Sequence, residues 1–293
     1  MTTLVAGTLP INVLSAAGPS VCAFLTMGDA TAFRAVCREA RASVADQPWT
    51  DYGQIVGSIS AWRACFPRAK VANLTYRPKT ITDADLAHLA GIHTLNIQGC
   101  SNVTDAGLAH LEGIKKLNVS HVPTITDVGL SYLAGIQTLD ITWCPLITDN
   151  GIAHLKGIKC LTMQENKNVT DECLVHLQGI HTLDASWCKG INGPGLHHLR
   201  GIKTLSICGY GGNALAQLTS LEYLDIRYCY WAKDNFFRRL TNLHTLVVNG
   251  CYGLTYRFLE FIPEDTTVCR FGVGRCCATL LVEAGEEPDR PFC

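Results

Sequence analysis

The sequence predicts an α/β solenoid, its parallel β-sheet on a concave face and short helices on a convex face, preceded by a small all-α module. Two observations carry this. Leu95, Leu117, Leu139, Leu161, Leu183 and Leu205 follow one another at steps of 22 residues, and Gly91, Gly113, Gly135, Gly157, Gly179 and Gly201 keep the same step. Residues 9–50 ignore that period. Self-similarity at a fixed short period is the signature of stacked coils, each too small to bury its own apolar face.

Within a block, Leu95-Asn96-Ile97 alternates as a half-buried strand should. Thr82 suits a helix N-cap, and Asp83 favours the positive end of a helix. Leu86 and Leu89 share a helical face, and Gly91 can take the left-handed conformation that ends the helix. About two helical turns remain, too few to persist alone, so neighbouring coils must stack and their strands pair in parallel. Leu224 follows Leu205 by 19 residues, and Leu246 restores the step of 22. Weaker copies are expected at Leu74-Thr75-Tyr76 and Phe271-Gly272-Val273. Ten strands at ~4.8 Å spacing imply a solenoid about 45 Å long.

Ile92, Leu95, Ile97 and Cys100 fall on an L-x-x-L-x-L-x-x-C pattern, followed by Val103-Thr104-Asp105-x-Gly107-Leu108. This resembles the leucine-rich repeat of the cysteine-containing subclass over roughly residues 71–277. The resemblance implies a leucine-rich-repeat solenoid over 74–277 with a tail or cap over 278–293. The period is shorter than the subclass's usual repeat, which implies a trimmed helical side.

Cys100, Cys144, Cys188, Cys229 and Cys251 share the fifth position after the strand leucine, with Val122, Asn166 and Tyr210 replacing cysteine elsewhere. A metal site or redox relay is one reading; a small buried thiol donating weakly to a carbonyl of the coil is the other. Ladder cysteines two coils apart stand ~10 Å from one another, beyond disulfide reach. Cys229 and Cys251 are adjacent and are expected to be free as well. Cys269, Cys276 and Cys277 lack the C-x-x-C and histidine partners of a zinc site. His88, His110, His154, His176 and His198 read as amphipathic residues half-covering the helical face. No metal and no cofactor are expected. The total of 15 cysteines is odd and several recur in register, which favours packing over pairing and a reducing compartment, cytoplasmic or nuclear (of a host cell, if the gene is viral).

Lys and Arg number 24 against 25 Asp and Glu. There is no global basic field for a phosphate backbone, so nucleic acid is not the expected partner. The first charged residue is Asp29, but a basic leader region is missing and Pro10, Gly18 and Pro19 interrupt the apolar stretch, so neither a signal peptide nor a membrane anchor is expected. No nucleophile elbow, phosphate loop or zinc-protease motif occurs, which argues against an enzyme.

Residues 9–50 carry Leu9-Pro10, Val13-Leu14, Phe24-Leu25, then Phe33-x-x-Val36-Cys37-Arg38 and Trp49. This pattern resembles an F-box, with Asn12 where the family usually has an acidic residue. The resemblance implies a three-helix unit over residues 5–50 that docks on a Skp-type adaptor of a cullin-based ubiquitin ligase, with Leu9, Pro10, Val13, Leu14, Phe24, Leu25 and Val36 forming or supporting the adaptor-facing surface. The alternative is a helical cap for the solenoid. Residues 51–73, with Trp62, Phe66 and Pro67, are apolar enough to form a packed connector.

Outward strand positions form rows across the concave face. Trp143, Trp187 and Tyr228 lie in one row and Asp140, Asp184 and Asp225 in another. Either these aromatics and aspartates grip a protein partner with a basic or mixed segment, or the rings fold over the turn as edge packing. The expected function is the substrate-recognition subunit of a Skp–cullin–F-box ubiquitin ligase whose protein substrate the sequence does not name. The alternative is a stand-alone interaction scaffold without a ligase link.

Overall fold

A computed structural model describes residues 58–75, 80–209 and 213–270, together with positions 42, 45, 46 and 55. One parallel ten-stranded sheet runs in chain order. Its strands are β1 (Val71–Asn73), β2 (Thr94–Asn96), β3 (Lys116–Asn118), β4 (Thr138–Asp140), β5 (Cys160–Thr162), β6 (Thr182–Asp184), β7 (Thr204–Ser206), β8 (Tyr223–Asp225), β9 (Thr245–Val247) and β10 (Thr267–Cys269). Leucine stacks on leucine from Leu95 to Leu246, and Leu205 pairs with Leu224 despite the three missing residues. These leucines point inward and are buried, whereas Asn96, Asn118 and Asp140 on either side of the alternation are half-exposed.

The flanking copies sit elsewhere than the sequence suggested. Ala72, not Leu74, lies beside Leu95, and Val268 lies beside Leu246. Leu74 is buried two residues further on, in the place that Ile97 takes in the next coil. An alanine at the leucine position hid the register. Phe271-Gly272-Val273 lies outside the described residues.

The convex side carries the short helical segments that the period implies. Helices α2 (Asp83–Ala87), α3 (Asp105–Leu108), α4 (Asp127–Ser131) and α5 (Asp149–Ile152) have four or five residues; α3 and α5 run on into 3-10 residues Ala109–Leu111 and Ala153–Leu155, and from Asp171–Leu177 onward each coil has a 3-10 helix of five to seven residues. At about 3.6 residues per α turn and about three per 3-10 turn, the seven helical residues Asp105–Leu111 or Asp171–Leu177 make about two turns. The chain leaves six successive helical segments through left-handed glycines, from Gly91 at φ +75° to Gly201 at +91°. Before the first coil, α1 (Ile59–Cys65) starts at Ser58, whose hydroxyl accepts from the Ala61 N–H. It buries Ile59 and Trp62 in the common core, joined by Phe66. The Arg63 guanidinium donates to the carbonyls of Ala69 and Ala90 at 2.9 and 3.0 Å, tying this helix to the first coil.

The repeated aspartates do more than serve their own helix ends. The Asp105 carboxylate accepts from the Thr126 N–H at 2.9 Å and the Thr126 hydroxyl at 2.6 Å, one coil further on. Asp83 with Thr104, Asp127 with Thr148, Asp149 with Thr170 and Asp234 with Thr255 repeat this clamp. Asp171 makes a looser version, accepting backbone N–H groups of Asn192, Gly193 and Gly195. Gly193 has no carboxylate, so the series breaks there and resumes at Asp234.

The clamp explains the glycine of the Thr-Asp-x-Gly-Leu motif, because a Cβ on Gly129 would collide with Asp105 Oδ1. Gly→Ala inside a helix ordinarily stabilises by up to about 1 kcal/mol. Gly129→Ala is expected to destabilise by roughly 1–2 kcal/mol instead, because the Asp105 bonds are displaced. In an Asp105→Ala background the penalty should vanish. Urea denaturation of the double-mutant cycle measures this, and a penalty that persists there would exclude the clamp as its cause.

On the strand side, ladder thiols donate to carbonyls of the preceding coil: Cys144 to Val119 at 3.4 Å, Cys188 to Met163 at 2.9 Å, Cys229 to Ile207 at 3.4 Å and Cys251 to Ile226 at 2.9 Å. All five ladder cysteines are buried thiols outside any disulfide, Cys229 and Cys251 included. Cys160, which is off the ladder, is disulfide-bonded. Asn166 plays the ladder role with an amide. It donates to the carbonyls of Ile141 and Met163 at 2.9 and 3.2 Å, and its oxygen accepts from the Cys144 N–H at 2.8 Å.

Burial pushes the Cys100 thiol up to about 11 and those of Cys144 and Cys188 up to about 12, from an ordinary 9.0. A thiol whose folded value is raised binds its proton more tightly in the native state. Its contribution is intact below the unfolded value and is lost as pH rises from there through the folded one. Denaturant midpoints should therefore hold to about pH 8.5 and fall steeply by pH 11. Cys144→Ala should flatten that fall; an unchanged profile in the variant would count against the thiols as its source.

Candidate protein-binding face

Several strands of the concave sheet end in the same way. The side-chain oxygen of Asn96, Asn118, Asp140, Asp184 or Asp225 accepts from the N–H two residues on, at 2.9 to 3.1 Å. This local bond competes with further extension and turns the chain off the sheet. The residue completing the turn is left-handed in coil after coil. Gly99, Gly209 and Gly250 hold it at φ between +72° and +81°, whereas His121, Trp143, Glu165, Trp187 and Tyr228 hold it at +54° to +63°. The left-handed region costs a non-glycine residue about 1–2 kcal/mol, and strain of this kind clusters where function requires it.

Those aromatic rings do two things at once. Trp187 lies over Gly209, where a Cβ would meet its Cζ3 at 2.6 Å, and Tyr228 lies likewise over Gly250. The Trp187 and Tyr228 ring centroids are 5.7 Å apart and those of His121 and Trp143 are 5.8 Å apart. Because the rings lean along the solenoid, Trp187 and Tyr228 touch, although two coils separate their backbones. Yet Trp143, Trp187 and Tyr228 remain 42%, 42% and 45% exposed. Edge packing and an open aromatic face coexist.

A second aromatic pair escaped sequence reading. Tyr230 and Tyr252 stack with centroids 5.8 Å apart and are among the most exposed apolar side chains described. Their signal was the Cys-Tyr pair repeated in successive coils, Cys229-Tyr230 and Cys251-Tyr252.

The aspartates are placed differently from the aromatics. Asp140 is half-buried; its second oxygen accepts from Asn118 Nδ2 at 3.2 Å. Burial raises its carboxyl above the usual range, opposed by the Thr142 bonds and by His121. Asp184 accepts from Gln164 Nε2 at 2.6 Å in addition to its turn bond. Asp225 is buried and ion-paired with Arg227 at 2.8 Å, and it accepts from the Cys208 thiol at 3.1 Å. All three carboxylates are thus engaged by this chain's own groups, and their work is to shape the turns. Between them runs a groove of ≈ 220 Å³, lined by Asn96, Lys116, Asn118, Asp140, Gln164 and Asp184 with a row of strand threonines, and bounded by Tyr223.

Leu9, Pro10, Val13, Leu14, Phe24, Leu25 and Val36 lie outside the described residues. Among the described residues, no cluster of three His, Cys, Asp or Glu side chains could hold a metal, and no helix is long and apolar enough to cross a membrane.

A family profile described as Leucine Rich repeat matches residues 136–155. No curated protein matches the sequence. Solved structures do. An internalin (inlF) from Listeria monocytogenes str. 4b F2365 aligns with TM-score 0.57 and 22% identity, over 74% of this chain and 64% of that one. An internalin C2 (inlC2) from the same strain gives 0.51 and 24%, over 65% and 84%. TLR13, solved as a complex with ssRNA13, gives 0.56 and 18%, over 74% of this chain but 34% of its own. The chain thus spans less than two thirds of the inlF internalin and about a third of TLR13. At these identities the likeness concerns the fold. Strand stacking, repeat match and structural neighbours agree that residues 71–269 form a leucine-rich-repeat solenoid.

Proposed function

We propose that this protein is a non-catalytic receptor. The solenoid holds a protein partner on its concave face, and the N-terminal module connects that partner to a Skp–cullin–F-box ubiquitin ligase. The observation that carries the first half is the row of bulky residues held left-handed at one turn position, three of them aromatic and half-exposed. Glycine would fill that turn without strain and does so in three coils. Keeping Trp143, Trp187 and Tyr228 there is intelligible if their rings make contact outside the chain.

The second half rests on the F-box-like residues 9–50. A rigid arm is what presentation to a ligase requires, and the burial of Trp62 and Phe66 against the first coil supplies a stiff junction at the solenoid's beginning. The same packing suits the second reading, a capped scaffold with no ligase link. In the full chain, Val13→Ala with Leu14→Ala is expected to abolish co-purification of a Skp-type adaptor while leaving concave-face binding intact. Capture that survives the substitution takes the adaptor contact away from Val13 and Leu14, and capture that never occurs with the unaltered chain selects the scaffold.

A further inference from the structure

Fixed carboxylates and free ammonium groups divide the concave face unequally. Asp140, Asp184 and Asp225 are each bonded within the chain, as described above. Along the leading rim, the residue preceding the strand is Lys115 before β3, Lys159 before β5 and Lys203 before β7. Lys203 is ion-paired with Glu222. Lys115 and Lys159 are exposed, and Lys116 lines the groove beside them. Among the described residues none of these three has a carboxylate partner. On the opposite rim the one exposed carboxylate among the described residues, Glu165, is outnumbered by Lys167 and Lys189, both exposed.

Resting on the reading of the concave face as the binding surface, we propose that the partner it takes is an extended acidic protein segment. The segment runs along the solenoid axis, its carboxylates on the Lys115–Lys159 rim and its apolar side chains toward Trp143 and Trp187. The spacing agrees. Lys115 and Lys159 are two coils apart, about 10 Å, and one three-residue turn of an extended polyproline II segment advances about 9 Å and returns a side chain to the same face. Acidic side chains at every third position of such a segment would therefore meet both lysines. A nucleic acid fits less well. Its charge recurs on every unit, so phosphates would be laid over the Asp140 and Asp184 floor, whereas a protein segment can confine its charges to the rim.

The test uses the purified full chain and three fluorescein-labelled probes: a short peptide with Glu at every third position among Ser, Thr and Leu, the same peptide with Lys for Glu, and an oligouridylate of matched length. Fluorescence anisotropy should show the Glu peptide binding at least ~10-fold tighter than the Lys peptide and weakening as salt is raised. Lys115→Glu with Lys159→Glu should reverse that preference, and Lys115→Ala with Lys159→Ala should remove it. All four changes are on exposed side chains, so an unchanged thermal midpoint verifies the fold. The proposal is overturned by an absent Glu-over-Lys preference, by indifference to the lysine substitutions, or by tighter binding of the oligouridylate. A parallel Trp143→Ala, Trp187→Ala variant separates this failure from that of the receptor reading. Peptide binding lost with the tryptophans but kept without the lysines sinks the charge argument alone. The reverse pattern sinks the aromatic surface alone.

Discussion

Asn166→Asp should destabilise the solenoid by roughly 3 kcal/mol or more, although the two side chains have almost the same shape. The site is fully buried, and the amide nitrogen sits 2.9 and 3.2 Å from the carbonyls of Ile141 and Met163. A carboxylate oxygen there meets two acceptors and offers no proton. The smaller Asn166→Ala should cost less, about 1–2 kcal/mol. In other coils the backbone closes this turn by itself, as Cys100 N–H does on Ile97 and Cys188 N–H on Ala185. Without the amide, Cys144 N–H can turn to Ile141 in the same way. The pH dependence distinguishes the causes. Burial raises the folded pKa of the introduced carboxyl, so its penalty is present at neutral pH and shrinks as pH falls through that value and the group becomes a donor. Urea midpoints at neutral and mildly acidic pH measure both effects. An aspartate variant as stable as the alanine variant would contradict the bonding described at Asn166.

Replacing Trp143 and Trp187 by glycine should weaken partner binding by at least ~30-fold for each ring removed, taking about 2 kcal/mol per anchor and a factor of 10 per 1.4 kcal/mol. Stability should move little. Each glycine relieves a left-handed strain of about 1 kcal/mol while giving up a ring's packing over the next coil. The matching alanine variants lose the ring and keep the strain. They should bind as poorly as the glycine variants and unfold about 1 kcal/mol more easily. Isothermal titration with the partner that the unaltered chain retains, beside urea denaturation, reads both quantities. Full binding by the glycine variants would reduce the rings to edge packing.

The fold was legible because it is repeated. Six leucines in register leave little choice of strand, and the glycine after each helix marks its end. The errors came where a copy is unlike its neighbours. Ala72 concealed the first strand behind Leu74, and Val268 rather than Phe271 stands beside Leu246 in the last pairing. The binding face was legible in part. Trp143, Trp187 and Tyr228 were visible as a row, but their left-handed backbone was not, although Gly99, Gly209 and Gly250 at the same position hinted at it. The bonding of the aspartates was not legible, for a physical reason. A carboxylate at a strand end looks the same in sequence whether it faces a partner or bonds to the N–H two residues along. Asp140, Asp184 and Asp225 do the latter. The aspartates of the Thr-Asp motif were likewise read as local, because the threonine that each one reaches is a full coil away.

The interruption of the aspartate–threonine clamps after Asp171 has a mechanical consequence. Elsewhere two seams hold neighbouring coils together, the sheet on one edge and the carboxylates on the other. Around Gly193 the carboxylate seam stops, while the sheet runs on through β6, β7 and β8 above a continuous apolar core. The bend between the seven coils before the interruption and the three after it is therefore set by strands and core without a carboxylate stitch, and the span from Trp143 to Tyr228 crosses that point.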